Sequence, residues 1–240
     1  MIYNTMQLEG YKFYFSKERI GSYESVEQHD QNLHLISKIS IHLGIFELFF
    51  RNRIDNFLRD QTENDEWLID LINIFENIEP DDMTEIEKNM YRDLKKIRIK
   101  HKTHAQIVSS LSFGFWVNLA KLLIFGWEGH NIAQASYTEM LDVSKINLTN
   151  YSRRNRNPSD NNLKLILVIR LIQHIRNRAF HWENLLKTNK NNCGKILPNI
   201  TAKEQNNLVG IFPIKIETFL QDVLKCIDKR LIGLTERALG

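Results

Sequence analysis

The chain has 240 residues, 42% of them hydrophobic and 25% charged, enough apolar material for one large domain or a domain with an appendage. Ten glycines and four prolines are few for an all-β protein built on tight turns, and the net charge of +3 permits contact with nucleic acid without demanding it. Two isolated cysteines, Cys193 and Cys226, exclude a disulfide framework or a CxxC zinc site, which fits a reduced, cytoplasmic protein.

The first ten residues lack a basic segment followed by an apolar run, and no stretch approaches 18 uncharged apolar residues. Neither a signal peptide nor a membrane span is expected. Residues 1–29 read as an N-terminal extension: an aromatic patch at 11–15, taken as a loop or brief strand, then a helical turn after Ser16. A first long helix is predicted over 30–59, with Asp30 as its N-cap. Its apolar positions Ile36, Ile39, Leu43, Phe46, Phe50, Ile54 and Phe57 step by three or four. Glu47 and Arg51 stand four apart on it and can pair; spacing leaves a surface bridge and a functional pair equally open.

A short helix is expected around 67–75 and another over 83–100, with Ile86, Met90, Leu94 and Ile97 as its seam. The second ends in Lys95, Lys96, Arg98 and Lys100, a cluster suited either to the helix dipole or to a phosphate backbone. His101 and His104 follow, but no third ligand stands near, so no metal and no cofactor are expected. Residues 105–125 are the most apolar stretch, with Gly114 marking a close approach or a local break. A helix is predicted around 138–147; Arg153, Arg154 and Arg156 then form either a phosphate site or a wet loop. Residues 188–210 read as a loop and 212–236 as a last amphipathic helix. The fold class is therefore all-α, with one helical domain over 30–240.

The most informative segment is a helix predicted over 163–186, capped by Ser159 or Asp160. Leu165, Val168, Ile172, Ile175, Ala179, Trp182 and Leu186 form its apolar seam, while Arg170, His174, Asn177 and His181 make a second row nearly opposite. A solvated face is the plain reading of such a row, yet histidine is a poor choice for merely solvating a helix. Asn177 and His181 lie one turn apart, whereas Arg176 is about 140° around the helix from His181. A second copy of the chain could supply the missing neighbour, so a composite site in a homodimer is expected. An imidazole that moves a proton and a guanidinium that grips phosphate could together cleave RNA without a metal. The ribose 2′-hydroxyl would be the nucleophile, leaving DNA inert.

Arg176-Asn177-x-x-x-His181 resembles the signature of the HEPN superfamily, the nucleotide-binding helical domain of higher eukaryotes and prokaryotes. Three further blocks stand before it in order: Ser16-x-x-Arg19-Ile20-x-x-Tyr23, Glu47-x-x-x-Arg51-Asn52-x-Ile54, and Ser112-Phe113-Gly114-Phe115-Trp116-x-x-Leu119. Together they resemble the Abi-like, abortive-infection branch over roughly residues 16–190. The resemblance implies a HEPN-like helical bundle, usually dimeric, acting as a metal-independent endoribonuclease in phage defence or a toxin–antitoxin pair. It implies Arg176 and His181 as the catalytic pair, Asn177 as the residue orienting them, and Glu47, Arg51 and Asn52 as accessory. His174 and Arg178 join the accessory set by position alone. RNA is the implied substrate, with an antitoxin or a regulatory RNA or protein as a further partner. The alternatives are an RNA- or nucleotide-binding module that grips through Arg153, Arg154, Arg156 and the 95–102 cluster without cutting, and a protein-interaction partner.

Overall fold

The structure is a computed structural model that describes residues 5–98, 103–127 and 134–233, with the side chains of residues 5–9 and Arg98 left out of the description. Lys100 and His101 lie outside the described residues, as do the predicted helix ends at 99–100 and 234–236. The chain opens with helix α1 (Thr5–Phe15) and the single turn α2 (Lys17–Ile20). The aromatic patch is thus helical, not a loop or strand. Tyr11 and Phe15, one turn apart, meet with their rings tilted and centroids 5.6 Å apart. Ser16, at φ 64°, breaks the helix, and its hydroxyl accepts from the Arg19 amide at 3.2 Å to cap α2.

Helix α3 (Val26–Thr62) begins four residues before Asp30, which is therefore no cap. Its carboxylate instead accepts from the Tyr11 hydroxyl at 3.1 Å. The α3 seam is as its periodicity predicts: Ile36, Ile39, Leu43, Phe46, Phe50 and Ile54 are all at most 1% exposed. By length and composition α3 could cross a membrane, but its apolar stripe is packed inside the protein, the way a core helix satisfies the same criterion.

The chain divides into two units, one of residues 1–44, 145–158 and 170–240 and one of 45–144 and 159–169. In the second, α4 (Trp67–Glu76) and α5 (Glu85–Arg98) match their predicted spans closely. The apolar stretch after them is two helices, α6 (His104–Ser110) and α7 (Phe113–Phe125), bent by 103°. The break falls at Leu111, which is extended, rather than at Gly114, because the Ser112 hydroxyl accepts from the Phe115 amide at 3.1 Å and starts a new helix. Phe46, Phe50 and Phe113 form one aromatic cluster, two of the rings stacked at 5.4 Å. His104, considered above for a metal pair, is instead bound to the buried Asp55 carboxylate at 2.6 Å, which also accepts from Trp67 Nε1 at 2.8 Å. The helix predicted over 138–147 shrinks to α8 (Tyr137–Met140). Beyond it Asp142 accepts from the Ser144 amide at 2.9 Å, a local turn that competes with the helix.

Helix α9 (Asn161–Phe180) supplies residues to both units. Asp160 caps it, accepting from the Asn162 amide at 2.8 Å. Leu165, Val168, Ile172, Ile175 and Ala179 are buried to 1% or less, as their spacing predicts. The helix stops at Phe180, however, and Trp182, predicted to continue the seam, is 52% exposed.

In the first unit the predicted loop over 188–210 is largely two antiparallel hairpins. Strands β1 (Thr188–Lys190) and β2 (Ile196–Pro198) form one, β3 (Ile200–Glu204) and β4 (Asn207–Ile211) the other. The buried Asn155 amide donates to Gly210 O and accepts from Gly210 N, both at 2.8 Å, tying the second hairpin to the loop before α9. Helix α10 (Ile216–Ile227) is amphipathic as expected, with Phe219, Leu220, Val223 and Leu224 buried, but it ends before 236: Asp228 is extended and turns its carboxylate to Arg230. Apart from these hairpins the described protein is helical, so the all-α class holds.

Candidate functional site

The end of α9 fixes the site. The Trp182 amide donates to Ala179 O at 3.0 Å and the Glu183 amide to Arg178 O at 2.8 Å. That pair of bonds is the Schellman stop, in which the residue after the helix takes a left-handed conformation. Glycine usually fills that position, but here Trp182 does, at φ 58°. His181 is the last residue before the reversal, exposed, with its own amide still donating to Asn177 O at 3.0 Å.

Polar side chains from α3 and the α2–α3 region hold the chain just beyond. The buried Asn32 amide donates to Glu183 O at 3.1 Å and accepts from the Leu185 amide at 2.8 Å. It also donates to the Tyr23 hydroxyl at 3.0 Å, and burial pushes that phenol above its ordinary range, against the opposing pull of the Arg19 charge and the Asn32 bond. Asn184, itself buried, donates to Ser22 O at 2.9 Å. The Arg19 guanidinium donates to Trp182 O.

These contacts shape a cavity of about 400 Å³ lined by His181, Arg19, Arg178, Lys187, Asn184 and Asn199. Three cations and a histidine thus face one small, open space with a single carboxylate, Glu183, on its lining, a composition suited to a phosphate and a transferable proton. Arg178 also lies 4.0 Å from the Glu183 carboxylate and satisfies the negative end of the helix dipole, which would explain its presence without any ligand. Arg19 stands likewise in the last turn of α2, while Lys187 has no such helical duty.

Arg176 does not line this cavity. It is half-buried, its guanidinium carbon 5.1 Å from the centroid of the Phe180 ring and Nη1 3.4 Å from Asn177 Oδ1. Asn177 is half-buried with it. The polar row on α9 is not one continuous site. Arg170 donates to Lys203 O at 2.8 Å and lies 3.1 Å from the Glu204 carboxylate, while His174 Nδ1 donates to Thr201 O at 2.7 Å. These two residues are latched to β3, so His174 serves the hairpin, and of the row only His181 lines the cavity; Asn177 does not.

Glu47, Arg51 and Asn52 stand on the part of α3 that belongs to the other unit. Glu47 and Arg51 are half-buried and Asn52 is exposed, and Arg51 Nε is buried without a hydrogen-bond partner. Arg153, Arg154 and Arg156 are all exposed. The first two line a groove of about 620 Å³ with Lys195 and Lys215, four cations in one depression. Lys95 and Lys96 border a separate groove of about 770 Å³ with Lys88 and Arg92, where Glu76 and Glu79 offset half of the positive charge. Lys95 there lies over the Tyr91 ring, 4.9 Å from its centroid. The Arg153 groove is thus the better match to a polyanion.

Sequence reasoning missed Lys187, Asn184 and Asn199 altogether, and nothing in their spacing signals the cavity. Arg19 stands in one of the resembling sequence blocks, but its role depends on a bond to a residue 163 positions away. Among the described residues no group of three or more His, Cys, Asp or Glu side chains is gathered as a metal site. Comparisons with family models, with curated proteins and with solved structures find no match for this chain.

Proposed function

We propose that this protein is a cytoplasmic endoribonuclease of a defence or toxin–antitoxin system, cutting RNA by attack of the ribose 2′-hydroxyl and needing no metal for that step. The observation carrying the reading is His181, exposed at the α9 stop on a cavity it shares with Arg19, Arg178 and Lys187. In the proposed reaction the imidazole takes the proton of the 2′-hydroxyl. The oxygen attacks the adjacent phosphorus, and the cations stabilise the added charge on the five-coordinate phosphorane. The P–O5′ bond then breaks, the 5′-oxygen receives the proton from an imidazolium, and the products are a 2′,3′-cyclic phosphate and a 5′-hydroxyl.

Arg176 has a place in this scheme through a second copy. It projects from another face of α9, so in the homodimer we propose, Arg176 of one chain serves the cavity of the other. Its stack on Phe180 keeps the long side chain ordered for that role.

The test is cleavage of end-labelled RNA in excess chelator by wild type, His181→Ala and Arg176→Ala, with helical circular dichroism as the folding control. Cutting with cyclic-phosphate ends, lost in both variants, is the expected result. Mixing the two inactive variants should then restore about a quarter of wild-type activity, since half the dimers are mixed and each holds one intact site. Undiminished cutting by His181→Ala overturns the nuclease reading, and no recovery on mixing overturns the shared site. A second reading, RNA binding without cutting, draws on the Arg153, Arg154, Lys195 and Lys215 groove. Tight binding by a wild type that never cuts would favour it.

A further inference from the structure

Beside the His181 cavity lies a second, larger groove of about 700 Å³, lined by Phe13, Tyr14, Phe15, Leu33, Arg19 and Trp182. Arg19 and Trp182 line both spaces and form the wall they share. The first gathers three cations, the second is walled mainly by aromatic rings. Phe13 is 84% exposed, Tyr14 77% and Trp182 52%, which is unusual for rings that could have been buried. Phe13 and Tyr14 meet edge to face at 5.3 Å, leaving ring faces open. Trp182 holds its indole there from a left-handed backbone position that glycine would occupy without strain.

We propose that this groove receives an unpaired nucleobase while the neighbouring phosphate sits against Arg19 in the His181 cavity, so that the substrate class is single-stranded RNA. The inference rests on the nuclease reading for the phosphate's fate, but its own content is the stacked base. Aromatic faces beside a cationic pocket are what single-stranded nucleic acid needs, because each nucleotide offers a flat ring and a charge a short distance apart. The bases of an A-form duplex are stacked on one another and cannot enter such a groove. The charge of Arg19, on the wall shared by both spaces, favours this occupant over an apolar face of a second copy.

The experiment uses the full chain carrying His181→Ala, so that RNA survives, and a single-stranded oligoribonucleotide containing 2-aminopurine, whose fluorescence falls on stacking. Binding should quench the probe. Adding Phe13→Ala with Tyr14→Ala should weaken affinity about tenfold or more and abolish the quench, with unchanged helical circular dichroism. A fully paired duplex of the same sequence should not compete. Equal competition by duplex, or unchanged affinity and quench in the aromatic variant, overturns the inference. So does a dimer that the aromatic substitutions turn into a monomer while RNA affinity stays the same, for then the face joins two copies. The two readings fail separately: a wild type that quenches the probe but never cuts RNA refutes the nuclease and supports the stacked base, and one that cuts without any quench does the reverse.

Discussion

Substituting Trp182 by alanine and by glycine isolates the cost of the left-handed stop. Trp182 is 52% exposed, so about half of a ring surface of roughly 250 Å² is covered. Either substitution forfeits that burial, about 3 kcal/mol at most at roughly 25 cal/mol per Å². The difference between the two variants is free of this loss. A non-glycine residue at φ 58° carries a penalty of about 1–2 kcal/mol that glycine escapes. Glycine's looser unfolded chain takes back roughly 0.4–1 kcal/mol. Trp182→Gly should therefore be more stable than Trp182→Ala by about 1 kcal/mol, or roughly 2–4 °C in Tm for a chain of this size. Thermal unfolding followed by circular dichroism at 222 nm measures it. An alanine variant clearly more stable than the glycine variant would refute the left-handed stop and, with it, the placement of His181 at its edge.

Three further expectations are open to direct measurement. His42 is buried, and desolvation lowers its pKa below the ordinary value. The unfolded chain then binds the proton first, so stability should fall as pH drops below about 6.5. His42→Leu should flatten the decline in urea midpoint between pH 7.5 and 5; an identical decline in both proteins counts against it. A methyl group added at Gly210 would lie 2.5 Å from Pro198 Cγ, so Gly210→Ala should cost about 1–3 kcal/mol in denaturant unfolding. An unchanged midpoint would mean the Pro198 ring gives way freely. Replacing Arg153 and Arg154 together by alanine should weaken RNA binding evenly across sequences and reduce the slope of log affinity against log salt by about 1.4. A slope that does not move would remove that groove from the RNA path.

The long helices were legible because their signal repeats. In α3 six apolar residues at helical spacing are all buried, and in α9 five are, so a chance match at one position could not mislead the reading. The same extrapolation failed at Trp182, where the seam's rhythm continues but the backbone turns left-handed, a change no periodicity encodes. The hairpins escaped notice for the opposite reason. Strands of three to five residues give too few alternations, and Asn, Gly and Pro between them read as loop until the strands pair. Of the candidate site, His181 and Arg178 could be picked out from the α9 pattern. The split of its polar row could not, because Arg170 and His174 are claimed by β3 carbonyls that the sequence had placed in a loop.

Asn32 and Asn184 fasten the chain at residues 183–186, directly after the helix stop and before β1 begins. The turn at 191–195, closed by its own bonds to Asn191, lies beyond those anchors. Its tip at 192–194 can therefore carry a grafted reporter, provided that Lys195 and Asn199, which line the Arg153 groove and the His181 cavity, keep their places. An engineer has a place there to attach a label at a distance from the imidazole.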